Sequence, residues 1–125
     1  MMAEEAGSPR IAVVGPCAAG KSTLVAALKA RGLAARCVCQ EHSYVPDMWR
    51  RVSRTDILIY LDASLNTIIR RRRINWGQSF LDTLNDRLRH ARAHADLYLA
   101  TDNLSPQEVL AETLAFLKKT SVALL

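Results

Sequence analysis

The stretch Ile11-Ala12-Val13-Val14-Gly15-Pro16-Cys17-Ala18-Ala19-Gly20-Lys21-Ser22-Thr23 decides how this chain is read. Its first four residues are an apolar run that reads as a buried strand, and Gly15 to Ser22 fit the pattern G-x-x-x-x-G-K-[ST] without mismatch. Glycines at 15 and 20 let the backbone curl so that successive N–H groups turn inward. The helix that follows adds the positive end of its dipole to the same space. The expected guest is the phosphate tail of a nucleoside triphosphate, held by Gly15, Pro16, Cys17, Ala18, Ala19, Gly20, Lys21, Ser22 and Thr23. Lys21 is expected to reach the outer phosphates and the Ser22 hydroxyl to ligate magnesium, so ATP and Mg2+ are the expected cofactors. Ser22 to Arg31 are good helix formers with Leu24, Val25 and Leu28 on one face, and Gly32 can stop that helix. The competing reading is a glycine turn that merely joins strand to helix.

Outward from this loop, composition narrows the class. At 125 residues, half of them apolar, the chain is read as a short N-terminal tail, 1–9, expected to be disordered, and one compact domain, 10–125. No apolar run approaches the roughly twenty residues that cross a bilayer, so no membrane partner is expected. Met1 to Pro9 are acidic and small rather than basic and apolar, unlike a secretory leader, and a cytoplasmic address is expected. Three cysteines, one inside the glycine loop, read as free thiols. Cys37, Cys39 and His42 were they a metal cluster would lack a fourth ligand, and the alternation of Cys37 and Cys39 fits one face of a strand instead. The net charge of +5 rests on thirteen arginines and four lysines, and Arg70-Arg71-Arg72-Arg73 with Arg87, Arg89 and Arg92 crowd into one half of the chain. Guanidinium groups grip phosphate bidentately, but an arginine run is also what a solvated helix face looks like. Nucleic acid is a partner that this charge admits. The pattern does not favour it, since no aromatic platform, zinc module or helix-turn-helix accompanies the charge.

Strand and helix patterns alternate along the rest of the chain. Ala34 to Gln40 reads as a second strand with Glu41 just past its end. Glu41 to Arg54 is polar and aperiodic, and carries His42, Tyr44, Asp47 and Trp49. Asp56 to Asp62 is continuously apolar between its two aspartates, as strands covered on both faces tend to be, and delivers Asp62 to its carboxyl end. Ser64 caps a helix to about Arg73, with Leu65, Ile68 and Ile69 as its inner face, and Trp76-Gly77 interrupts it. One longer helix is expected from Ser79 to about His94, on Phe80, Leu81, Leu84, Leu88 and Ala91. Asp96 to Thr101 reads as the last strand. Ser105-Pro106-Gln107-Glu108 is a capping box that opens the closing helix, with Val109, Leu110, Leu114 and Leu117 packed. Such alternation predicts right-handed crossovers, a parallel sheet covered on both sides, and a ligand at the strands' carboxyl ends. Glu41, Asp62 and the Thr101-Asp102 turn then share one rim with the glycine loop.

These residues resemble the small P-loop kinases: nucleoside monophosphate, deoxynucleoside and shikimate kinases. The resemblance is carried by the glycine loop, by the strand ending Leu61-Asp62 with a helix and clustered arginines after it, and by Ala95 to Asp102 with Leu104 to Val109. It implies a three-layer P-loop NTPase-type α/β fold, a parallel sheet of about four or five strands flanked by helices on both faces. It also implies transfer of the terminal phosphoryl group of ATP to a small-molecule acceptor. In that family an arginine-bearing lid closes over the moving phosphoryl group, and the matching stretch is Arg70 to Trp76, with Arg72 and Arg73 as catalytic candidates beside Lys21. Thr101 would lie near the nucleotide base. A glutamate after the second strand is similar in position to Glu41, which makes Glu41 the candidate general base; its other reading is a surface carboxylate paired with Arg50, Arg51 or Arg54. Asp62 reads either as a magnesium carboxylate or as an aid to capping the helix at Ser64.

The chain departs from the family in its middle. Glu41 to Thr55 is all that stands where such kinases build an acceptor region and a further strand, so the acceptor is small, or completed by a second copy in a homodimer, or absent. Two other readings therefore stay open: a nucleotide-binding regulator or slow NTPase, and a nucleic-acid-associated ATP-binding protein. The base-reading Asn-Lys-x-Asp of GTPases is nowhere in the sequence.

Overall fold

In a computed structural model that describes residues 9–52 and 54–124, with side chains to 120, four strands form one sheet in the order β2-β1-β3-β4, and every pairing is parallel. The expected disordered tail lies outside the described residues, save Pro9. The strands are β1 (Arg10–Val14), β2 (Ala34–Cys37), β3 (Ile57–Asp62) and β4 (Leu97–Ala100). The helices are α1 (Lys21–Ala30), α2 (Met48–Arg51), α3 (Leu65–Arg71), α4 (Gln78–Arg87), α5 (Arg89–His94) and α6 (Pro106–Leu124), and a 3-10 turn spans Gln40–His42.

The apolar runs explain this architecture. Side chains alternate across a strand, so a continuously apolar strand feeds two cores. Ile11, Val13, Ile57, Ile59 and Leu61 pack on one face with Leu24 and Leu28 of α1 and Val109 of α6. Ala12, Val14, Leu58 and Tyr60 pack on the other with Trp49, Leu88 and Ala91. An aspartate just before each of two strands fixes the register. Asp56 accepts the Arg10 amide (2.8 Å) and Asp96 accepts the Leu58 amide (2.8 Å), satisfying donors that the neighbouring strand would otherwise leave open. The chain is thus α/β, a four-stranded all-parallel sheet with helices on both faces.

Several elements end earlier than their patterns alone indicate. The second strand stops at Cys37, and Gln40 and Glu41 turn into the 3-10 segment because Gln40 is wholly buried and tied to Val45, Trp49 and Arg87. The expected long helix divides at Leu88 into α4 and α5, with Leu88 itself in the core. On α3 the inward face is Thr67 and Ile68, while Ile69 is 53 % exposed. Thr67 displaces Ile69 because Ser64 caps the helix there, its hydroxyl accepting the Thr67 amide (3.3 Å). The closing helix opens on a reciprocal capping box, with Ser105 N–H on Glu108 Oε1 (2.8 Å) and Glu108 N–H on Ser105 Oγ (3.1 Å).

Neighbouring isoleucines on α3 make a sharp test of this facing. Ile68→Ala is expected to cost about 3 kcal/mol in urea unfolding and Ile69→Ala less than about 1 kcal/mol. The reverse order would mean that α3 is rotated on the sheet.

Candidate functional site

At the carboxyl ends of the strands, β1 gives way to a loop that turns sharply into α1. Gly15 adopts φ 152°, and a Cβ there would sit 2.0 Å from the Leu61 carbonyl oxygen of β3, so only glycine passes. Ala18 at φ 60° and Gly20 at φ 105°, the N-cap of α1, complete a left-handed turn on which no side chain caps the helix. Among the described residues nothing accepts from the amides of Cys17, Ala18 and Gly20, and the first-turn amides of α1 have no partner by helix geometry. Several backbone donors without a partner therefore belong to residues that lie together in one short turn.

The loop is held from outside. Arg71 on α3 donates to the Ala18 carbonyl (2.9 Å), to the Thr101 hydroxyl (3.0 Å) and to the Thr101 carbonyl, and the buried Thr101 hydroxyl donates to the Ala19 carbonyl (2.9 Å). These contacts tie α3, the end of β4 and the loop into one unit. Nothing in a run of four identical arginines singles out Arg71; exposed itself, it stands four residues after the buried Thr67 and three after the buried Ile68, and from there it reaches the loop.

Inside the loop, Lys21 Nζ donates to the Gly15 carbonyl (2.5 Å), the Pro16 carbonyl (3.3 Å) and Glu41 Oε2 (2.6 Å). Both partners are nearly closed to solvent, at 12 % and 5 % side-chain exposure. Glu41 is thus not a surface carboxylate, and none of Arg50, Arg51 and Arg54 pairs with it; those arginines take Asp47 and Asp56. Its position is fixed by Gln40, whose amide group bonds Val45, Trp49 and Arg87, and by Arg87, which donates to the Glu41 carbonyl (3.3 Å). The second carboxylate oxygen, Oε1, is buried and has no hydrogen-bond partner among the described residues.

A cavity of about 590 Å³ opens here, within the roughly 300–1,000 Å³ usual for small-molecule sites. Its wall brings together residues 17–24 of the loop and α1, Cys37, Cys39, Glu41, His42, Arg71, Arg72 and Thr101, with Leu104, Pro106 and Val109 as the apolar side. Arg73 and Asp62 are not part of that wall. Asp62 takes the Ala63 amide (2.9 Å) and the Tyr98 hydroxyl, with Arg92 at 3.9 Å. Burial and the bond to Asp62 push the Tyr98 hydroxyl up to about 12, so it stays a donor at neutral pH. Asp102, not Asp62, serves the start of α3, accepting the Ser64 amide (2.8 Å) and hydroxyl (2.9 Å); Thr67 and Ser64 hold its carboxyl below the usual carboxylate range. Trp49 is a core residue whose indole donates to His90 Nδ1 (3.1 Å), and burial with His94 nearby lowers the pKa of His90.

No protein-family model matches this sequence, and no curated protein shows significant similarity to it.

The close pass of the loop against β3 predicts that Gly15→Ala loses more than about 3 kcal/mol, because the new methyl group meets backbone that cannot rotate away. Chemical denaturation checks this, and a loss under about 1 kcal/mol would mean that the loop stands off β3.

Proposed function

We propose that this chain is a P-loop NTPase-type protein that binds magnesium ATP in the cavity and moves its terminal phosphoryl group to a small acceptor. The observation that carries the reading is Lys21, folded onto the loop carbonyls and Glu41 at the edge of a ring of unpartnered amides. The amides and the start of α1 suit an anion, and Lys21 is the only lysine in the wall of the cavity. Ser22, at the start of α1, would hold magnesium, which neutralises phosphate charge when bound. Asp62 is left out of that role, since Tyr98 and Arg92 already engage it and it is not part of the cavity wall.

Phosphate oxygens drawing Lys21 toward the loop would free the Glu41 carboxylate oxygen that Lys21 now occupies. Glu41 would then take the proton of an acceptor hydroxyl as the acceptor oxygen bonds to phosphorus and the bridging P–O bond breaks, releasing ADP. Arg72, also on the wall, would offset charge on the moving group. Arg71 positions the loop and does not touch the nucleotide in this reading. A nucleotide-binding regulator or slow NTPase is the second reading. It is favoured by the middle segment, where Trp49 is packed into the core and so is not available to stack on an acceptor.

Calorimetry with magnesium ATP tests the binding step. Lys21→Ala is expected to weaken affinity about a hundredfold or more, and equal affinity in the two proteins would overturn the site. Glu41→Gln, which removes the competitor for Lys21, is expected to leave ATP binding at least as tight as in the wild type while cutting turnover about a hundredfold. Unchanged turnover in that variant removes Glu41 from the chemistry.

A further inference from the structure

The same wall holds a set of mixed donors, of which only the Glu41 carboxylate has a part in the nucleotide reading. The Cys17 thiol, the Glu41 carboxylate and the His42 imidazole each offer one ligand atom, and these atoms all lie within 4.8 Å of one another. We propose that Cys17, Glu41 and His42 bind a borderline divalent transition-metal ion of the zinc class, with a fourth position open to the cavity.

Four observations carry this. Parallel pairing of β1 with β2, Val13 beside Cys37, sets the loop after β1 next to the turn after β2, so Cys17 meets Glu41 and His42 across the rim. Zinc bonds of 2.0–2.3 Å place tetrahedral neighbours about 3.5 Å apart, and the three ligand atoms already lie within 4.8 Å of one another, with His42 Nε2 3.9 Å from the Glu41 oxygen that Lys21 holds. The remaining adjustment is at most about 1.3 Å, within reach of side-chain rotation for His42, which is half exposed, and Cys17, which is partly buried. Independently, Glu41 is only 3 % exposed and its Oε1 is a buried acceptor without a donor, an arrangement that a cation beside the carboxylate relieves.

The donor set also selects the ion. One sulfur, one imidazole nitrogen and one carboxylate oxygen suit zinc or cobalt, whereas magnesium and calcium take oxygen ligands and shun thiolate. Thiolate and carboxylate together cancel the charge of the ion. Lys21 stays on Glu41 Oε2 and leaves the site with a net positive charge, so the open position favours water, hydroxide or another oxygen anion. This cluster differs from the Cys37, Cys39 and His42 grouping weighed from sequence. Cys37 and Cys39 are exposed on the same cavity wall and provide the internal control.

Cobalt titration of the reduced chain, without nucleotide, tests the site. One equivalent of Co2+ should give a near-ultraviolet thiolate-to-cobalt absorption band that zinc displaces. Cys17→Ser should abolish the band, His42→Ala should weaken zinc affinity by about tenfold or more, and the Cys37→Ser, Cys39→Ser double variant should change it less than about threefold. No band in the folded wild-type protein overturns the proposal, as does a band that survives Cys17→Ser and disappears in the double variant. Should Cys17→Ser fail to fold, alkylation of the wild type read by mass spectrometry decides instead. Zinc should slow modification of Cys17 about tenfold and leave Cys37 and Cys39 unchanged, and equal protection of all three or of none contradicts the site.

Discussion

The backbone of Gly15 passes so close to the carbonyl of Leu61 that no side chain can stand between them, and much of the molecule is arranged around that contact. It lets β1 end flush against β3 and turn at once into α1. The turn is then locked on its far side by Arg71 and Thr101, which take the carbonyls of Ala18 and Ala19. With those carbonyls engaged outward and upward by fixed partners, the loop has little freedom, and preorganised amides serve an anion better than ones that must be ordered on binding. The same parallel sheet that makes this loop brings the ends of β2 and β4 to its two sides, so residues distant in sequence share one cavity.

The pairing of Lys21 with Glu41 is the second constraint. A lysine and a glutamate removed from water stabilise each other only while both are present; removing either leaves a buried charge alone. An anion that competed for Lys21 would therefore disturb its contact with Glu41. This is a local coupling over a single 2.6 Å contact and needs no change of fold. Of the two Glu41 oxygens, one holds the Lys21 ammonium group, and the proposed proton transfer and metal site would both draw on the same carboxylate.

Much of the fold is legible in the sequence because the strands are apolar on both faces and the turns carry their own signals. Val13 and Ile59 could belong only to covered strands, and the Ser105 to Glu108 capping box marks the start of α6 within a residue. Element ends were less legible where a polar residue is buried. Gln40 looks like the tail of a strand until its side chain is seen to satisfy three separate segments, and Ile69 looks like core until Thr67 takes the inward place beside Ser64. At the site, Gly15 to Ser22 were readable as a unit since local backbone chemistry dictates them. Glu41 stood out by position alone. The role of Arg71, the engagement of Asp62 by Tyr98 and Arg92, and the meeting of Cys17 with His42 depend on contacts between elements, which no local pattern encodes.

Amide nitrogen–proton spectra of the labelled protein, recorded with and without magnesium ATP, test the reading of the glycine loop most directly. Bound phosphate should shift the amides of Cys17 to Thr23 most, with smaller changes at Glu41, Arg71 and Thr101 and little at the far end of the sheet near Arg10 and Ala34. Spectra unchanged at millimolar ATP, or shifts confined to the exposed arginines of α3 and α5, would contradict it.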